Sequence, residues 1–115
     1  MADRRPKLLF DALSAITTAR SFVSGLSFED YSKSVLLRSA VERQLEILGE
    51  ACTRLANADA SLFERVPTAR LAIGLRNRII HGYDAIDDET VFLTALQDLE
   101  PMSAQLQSWL DQLTA

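Results

Sequence analysis

Six apolar residues recur at helical spacing in one stretch of the chain. Leu37, Val41, Leu45, Leu48, Cys52 and Leu55 fall at i, i+4, i+8, i+11, i+15 and i+18. That period lines all six along one side of an α-helix, and it lacks the alternation a strand needs. Ile47 and Ala51 widen the face enough for it to serve an internal core and a second subunit together. A second stripe runs through Val91, Ala95, Leu99, Met102, Leu106, Trp109 and Leu113, with Phe92, Leu96 and Leu110 beside it. A third joins Leu9, Leu13, Ile16 and Val23, flanked by Ala12, Ala15, Ala19 and Phe22. No segment alternates between turn signals, and 115 residues include only four glycines and three prolines. The expected fold is all-α: an antiparallel up-and-down bundle of four to five helices, forming one domain over residues 1–115.

Local signals place the boundaries. Pro6 suits a first helical turn and Gly25 a terminus, predicting a helix over 6–24. Ser27 and Asp30 can cap the corner at 26–31. A long helix should start at Phe28 or Ser32 and reach Ala56, followed by a connector over 57–67 with a helical turn at 60–65. The next helix should span 68–81, with Gly82 ending it in the left-handed conformation. Asp87 is a good cap for the last helix, which Pro101 should kink or split.

Composition removes several function classes. Apolar residues are 48% of the chain, too many for a disordered protein. No stretch approaches the roughly 18 apolar residues of a membrane span, and no apolar run follows the first six residues, so neither membrane span nor signal peptide is expected. Cys52 has no second cysteine to pair with, which fits a reducing cytoplasm. One histidine and one cysteine, with no carboxylate pair at ligand spacing beside them, point to no metal centre and no cofactor.

The net charge of −4 speaks against a protein that coats nucleic acid, but the distribution is uneven. Residues 65–83 hold Arg65, Arg70, Arg76 and Arg78 with no acid, whereas 84–115 hold seven acids and no base. A local cationic spot on an acidic body can take one segment of a phosphate backbone, with Arg70 and Arg78 as candidate contacts. Equally, neighbouring acids can neutralise it in the fold.

That basic segment contains Arg76-Asn77-Arg78-Ile79-Ile80-His81-Gly82-Tyr83, with the only histidine of the chain. An imidazole moves protons near neutral pH, and a guanidinium holds a phosphoryl group as charge builds on it. Those are the requirements of RNA cleavage without a metal. On a regular helix, however, Arg76 and His81 point about 140° apart. His81 shares a face with Arg70, Gly74, Asn77 and Arg78, while Arg76 lies with Ala69, Ala72, Ile73 and Ile80 near the buried side. The two meet at one phosphate only if the helix loosens near His81 or a second copy brings a second motif alongside. A second copy would also supply a second histidine, so that both a general base and a general acid are present.

Each residue also has a plain structural reading. His81 suits a helix C-terminus, where the dipole favours a cation. Arg76 could pair with Glu46 or Glu50 from the acidic row Glu42, Glu46 and Glu50. Asn77 could be a surface residue or could orient His81 from one turn away. Gly74 could be incidental, or could let another backbone or an RNA strand approach. Tyr83 could be an aromatic lid on the end of the bundle.

The motif resembles that of the HEPN superfamily, in which an arginine and a polar residue precede a histidine by four to six positions. More narrowly, Gly74 to Tyr83 is similar to the HepT toxins encoded with minimal nucleotidyltransferase antitoxins, whose motif extends to a tyrosine two positions past the histidine. Gly25 to Tyr31 resembles that family's first corner, and Val41 to Ala51 its second helix. The tryptophan often found near 65–70 in the family is missing. The resemblance implies an all-α homodimer acting as a metal-independent endoribonuclease, with its cleft at the dimer interface. Arg76 and His81 would be catalytic, with Asn77 supporting. The partner nucleotidyltransferase would silence the toxin by adding AMP to Tyr83, excluding RNA from the cleft by charge and bulk. The acidic C-terminal third could dock a basic surface of that antitoxin. The alternative is a catalytically inactive HEPN dimer that binds a nucleotidyltransferase or a nucleotide.

Overall fold

The computed structural model describes residues 2–82 and 86–115, and among them every regular element is helical. In chain order these are α1 (Arg5–Val23), α2 (Phe28–Lys33), α3 (Val35–Ala58), α4 (Leu62–Arg65), α5 (Ala69–His81), α6 (Asp88–Leu93), a π-helical segment (Thr94–Asp98) and α7 (Leu99–Thr114). The expected all-α bundle is therefore what forms. Four long rods carry it, because α6, the π segment and α7 run on as one.

The core follows the stripes, with a shift on α1 and with Leu96 exposed rather than covered. On α1, Leu9, Ala12, Ala15, Ile16, Ala19 and Val23 are buried, while Leu13 and Phe22 are only partly covered. The alanines thus sit at the contact and the larger residues flank it, which lets α1 lie close along α3, its most extensive neighbour. On α3, Val41, Leu45, Leu48, Ala51, Cys52 and Leu55 are buried. These residues face both α1 and α5, so α3 is the central rod.

Gly25 ends α1 as expected, and it does so with φ of +77°, in the left-handed conformation. Ser27 then caps α2, accepting from the Asp30 amide at 3.1 Å while Asp30 accepts from the Ser27 amide at 3.4 Å. The single long helix expected from Phe28 or Ser32 is in fact two. Ser34 is extended, and its hydroxyl accepts from the Leu37 amide at 3.1 Å to start α3 afresh. A serine with its own cap bond competes with the helix it would otherwise continue.

At the far end Asp87 caps α6 as expected, accepting from the Glu89 amide at 3.1 Å and the Thr90 hydroxyl at 2.9 Å. These bonds hold its carboxyl below the usual carboxylate range. The last helix is interrupted ahead of Pro101, at residues 94–98. Val91, Ala95 and Leu99 are each four apart, and each step of four overshoots an α-helical turn by about 40°. The wider π turn takes up that excess, so all three remain buried. Pro101 then lies in the first turn of α7, where a proline is tolerated.

Candidate functional site

The site is built where α3 and α5 touch most closely. A Cβ on Gly49 would stand 2.3 Å from Cβ of Arg76 and 2.7 Å from the carbonyl oxygen of Ala72. Only a glycine allows this approach. Gly74, which could be incidental or could admit another backbone or an RNA strand, has nothing within 4 Å of where its Cβ would be. The close contact therefore belongs to Gly49. Its signal in the sequence was a glycine in the middle of a long apolar helical face, where it costs about 1 kcal/mol relative to alanine unless packing needs it.

The approach puts Arg76 against α3. Its Nη2 donates to Oε2 of Glu50 at 2.8 Å, and its Nη1 donates to Oδ1 of Asn77 at 3.3 Å. The side chain is 26% exposed, and its Nε is buried without a hydrogen-bond partner among the described residues. Oε1 of Glu50 accepts from Nε of Arg54 at 3.0 Å, so one carboxylate holds two guanidinium groups. Of the two glutamates open to Arg76, Glu50 takes it, while Glu46 pairs with Arg43 at 3.2 Å.

These side chains line a groove of about 560 Å³ between α1, α3 and α5. Its charged walls are Asp11, Arg43, Glu46, Glu50, Arg54 and Arg76, with Ile80 at one side. Three bases and three acids leave the groove with little net charge of its own. Arg43, Arg54 and Gly49 escaped the motif because they lie on another helix and join Arg76 only through packing, whereas Glu50 was one of the two glutamates expected to pair with it.

His81 is exposed in the last turn of α5, and it is absent from the groove wall. The helix holds its bonding through His81, with the Gly82 amide still donating to the Arg78 carbonyl at 2.9 Å. The helix does not loosen, so within one protomer Arg76 and His81 keep the wide angle expected of them. Asn77 is also exposed and bonds Arg76, its chain neighbour, rather than His81. Gly82 has φ of −142°, so α5 ends without the left-handed turn anticipated for it. Arg78 and His81 occupy the last turn instead, where free carbonyls favour cations.

The other candidates scatter. Arg70 is exposed with its guanidinium 4.0 Å from the ring centre of Phe63, a cation–π contact away from the groove. Arg78 is exposed and does not line the groove. Tyr83 lies outside the described residues. Cys52 is fully buried, and burial pushes its thiol up to about 12, which leaves it unreactive. The Arg65 guanidinium lies 5.1 Å from the ring centre of Trp109 on α7. Among the described residues no group of three or more His, Cys, Asp or Glu is placed to hold a metal ion. Nor is any described helix long and apolar enough to cross a membrane.

Comparison with known proteins shows the family. The family model "Ribonuclease HepT-like" matches residues 12–109. The chain is 32% identical over 90 residues to the "Putative RNase TTE0752" of Caldanaerobacter subterraneus subsp. tengcongensis, covering 78% of this chain and 80% of that one. It is 28% identical over 99 residues to the "Probable ribonuclease HepT" of Thermococcus cleftensis, covering 86% and 89%. With the "Putative RNase MJ0125" of Methanocaldococcus jannaschii it shares 27% over 105 residues, covering 91% and 90%. No solved structure gives a significant match. A match across nearly the whole helical bundle, with Arg76, Asn77 and His81 inside it, makes this chain a member of the HepT-like ribonuclease family.

Proposed function

We propose that the protein is a metal-independent endoribonuclease toxin that works as a homodimer, with Arg76, Asn77 and His81 of both copies around one scissile phosphodiester. The observation that carries this reading is the split within α5. Arg76 is seated at the groove by Glu50, while His81 stands exposed at the helix end on another face. One protomer alone offers a phosphate either the guanidinium or the imidazole, whereas two copies facing each other offer both.

In the reaction the 2′-oxygen attacks phosphorus and the bond to the 5′-oxygen breaks. One imidazole accepts the 2′-hydroxyl proton and the second, protonated, supplies a proton to the leaving oxygen. Arg76 holds the extra charge on the phosphoryl oxygens at the crowded stage between them. The products are a 2′,3′-cyclic phosphate and a 5′-hydroxyl. Asn77, bonded to Arg76, limits where the guanidinium can swing. A nucleotidyltransferase antitoxin would silence this chemistry by placing AMP on Tyr83, two residues beyond His81. Arg70, stacked on Phe63, and Arg78 are weaker candidates for holding the RNA strand.

The Arg76–Glu50 pair favours one rival, in which Arg76 is structural and the dimer only binds a nucleotidyltransferase or nucleotide. Expression in cells separates the two. The wild type should arrest growth and cut RNA, and Arg76→Ala and His81→Ala should each relieve the arrest while remaining folded and dimeric. If wild type and variants are equally harmless and none cuts RNA, the binding reading wins. Intact mass of protein co-produced with the nucleotidyltransferase should show AMP-sized additions that Tyr83→Phe removes.

A further inference from the structure

Glu50 is not part of the Arg–His motif, yet it makes the shortest polar contact of Arg76, at 2.8 Å. It belongs to α3, whereas Arg76 belongs to α5. Its two oxygens are each occupied by an arginine, Oε1 by Arg54 at 3.0 Å and Oε2 by Arg76 at 2.8 Å. Directly beside it in the chain, Gly49 brings the α3 backbone against the base of the Arg76 side chain.

We infer that Glu50 is a positioning residue for Arg76, steadied in turn by Arg54, so that α3 aims the guanidinium that the phosphoryl group meets. The inference rests on Arg76 acting in RNA cleavage, as proposed for the dimer.

A guanidinium has five N–H donors. Glu50 engages one at Nη2 and Asn77 one at Nη1, which leaves one hydrogen on each Nη for a phosphate. Nε is buried and faces no acceptor among the described residues, so it does not compete for the phosphate. The long, flexible arginine is thereby held at both ends: its base by the close backbone of Gly49, its tip by the carboxylate. Arg54 fixes the other oxygen of that carboxylate, so rotation of Glu50 about its own side chain would break two charge-assisted bonds at once. Preorganisation of this kind acts on the transition state, because a misplaced charge loses most where charge is developing.

The opposite role is also physically coherent, and it makes the test sharp. An anion 2.8 Å from Arg76 could compete with RNA phosphate for it. A positioning carboxylate sustains kcat, whereas a competing one raises KM.

The experiment uses a fluorescent RNA oligonucleotide carrying a site that the wild-type dimer cuts in total RNA. Steady-state kinetics are measured for wild type, Arg76→Ala, Glu50→Gln, Glu50→Asp and Arg54→Gln, each checked for folding and dimer mass. Glu50→Gln should lower kcat about 10- to 100-fold with KM changed by less than about threefold. Glu50→Asp, which keeps the charge at shorter reach, should recover part of that loss. Arg54→Gln should lower kcat in the same direction by a smaller factor, and it decides the matter by the same criterion if Glu50→Gln does not fold.

A fall in KM with kcat unchanged overturns the inference in favour of competition. A kcat equal to wild type in folded Glu50→Gln overturns it outright. So does a loss that merely tracks the folded fraction, with Glu50→Asp no better than Glu50→Gln. Full activity in Arg76→Ala, or a wild type that cuts no RNA, overturns the ribonuclease reading itself and this inference with it.

Discussion

Two helical glycines in this protein should answer the same substitution in opposite ways. Gly49→Ala drives a methyl to 2.3 Å from Arg76 Cβ and 2.7 Å from a backbone carbonyl, so α3 and α5 must separate. Overpacking of this kind costs about 1–3 kcal/mol, and chemical denaturation should show it. Gly74→Ala meets nothing within 4 Å and gains helix propensity, so it should stabilise by roughly 0.5–1 kcal/mol. Glu42 offers a pH-dependent case. Burial first, and then the neighbouring Asp88, raise its carboxyl above the ordinary 4.5, against the opposing pull of Arg38. A raised carboxyl makes the ionised form a burden on the folded state. That burden is zero where both states are protonated, grows as pH rises through the unfolded value, and is constant above the folded one. Glu42→Gln should therefore raise the melting temperature at about pH 7, and the gain should vanish by about pH 3–4. None of these contrasts is written in residue type: Gly49 and Gly74 are identical in sequence and differ only in what faces them.

Caps set where several elements begin and end. Ser34 both ends α2 and starts α3, and its hydroxyl bond to the Leu37 amide keeps the two from merging. Ser34→Ala should cost about 1 kcal/mol, read as a lower denaturation midpoint with an unchanged slope. The cap signals at Ser27, Asp30 and Asp87, and the helix end at Gly25, were legible in the sequence because each depends on its own neighbours alone. Ser34 was missed because the apolar period runs on past it and a single serine rarely outweighs such a stripe. The disturbance near Pro101 was legible as well, but its form was not. The stripe through Val91, Ala95 and Leu99 already carried the four-residue steps that a π turn accommodates. Gly82 misled for a related reason: glycine permits the left-handed turn without requiring it, and the path of the chain beyond the helix decides whether the turn is used.

At the scale of the molecule, the proposed function needs two copies, and this can be checked without a structure of the dimer. Wild-type and His81→Ala proteins, mixed in equal amounts, unfolded together and refolded, should keep about a quarter of the wild-type activity. Only dimers with two imidazoles hold both the base and the acid, and random pairing makes about a quarter of those. Retention of about half would show that each copy works alone. The helical composition, the stripes and the spacing of Arg76 to His81 were determined by the sequence itself. A helix advances by a set angle per residue, so the face each residue occupies comes directly from its number. Which faces meet is another matter. The Glu50–Arg54 pair is an i, i+4 contact within α3 and belongs to local spacing, but the choice of Glu50 over Glu46 by Arg76 and the need for Gly49 between two rods arise only once α3 lies against α5. Packing many side chains at once decides those two contacts.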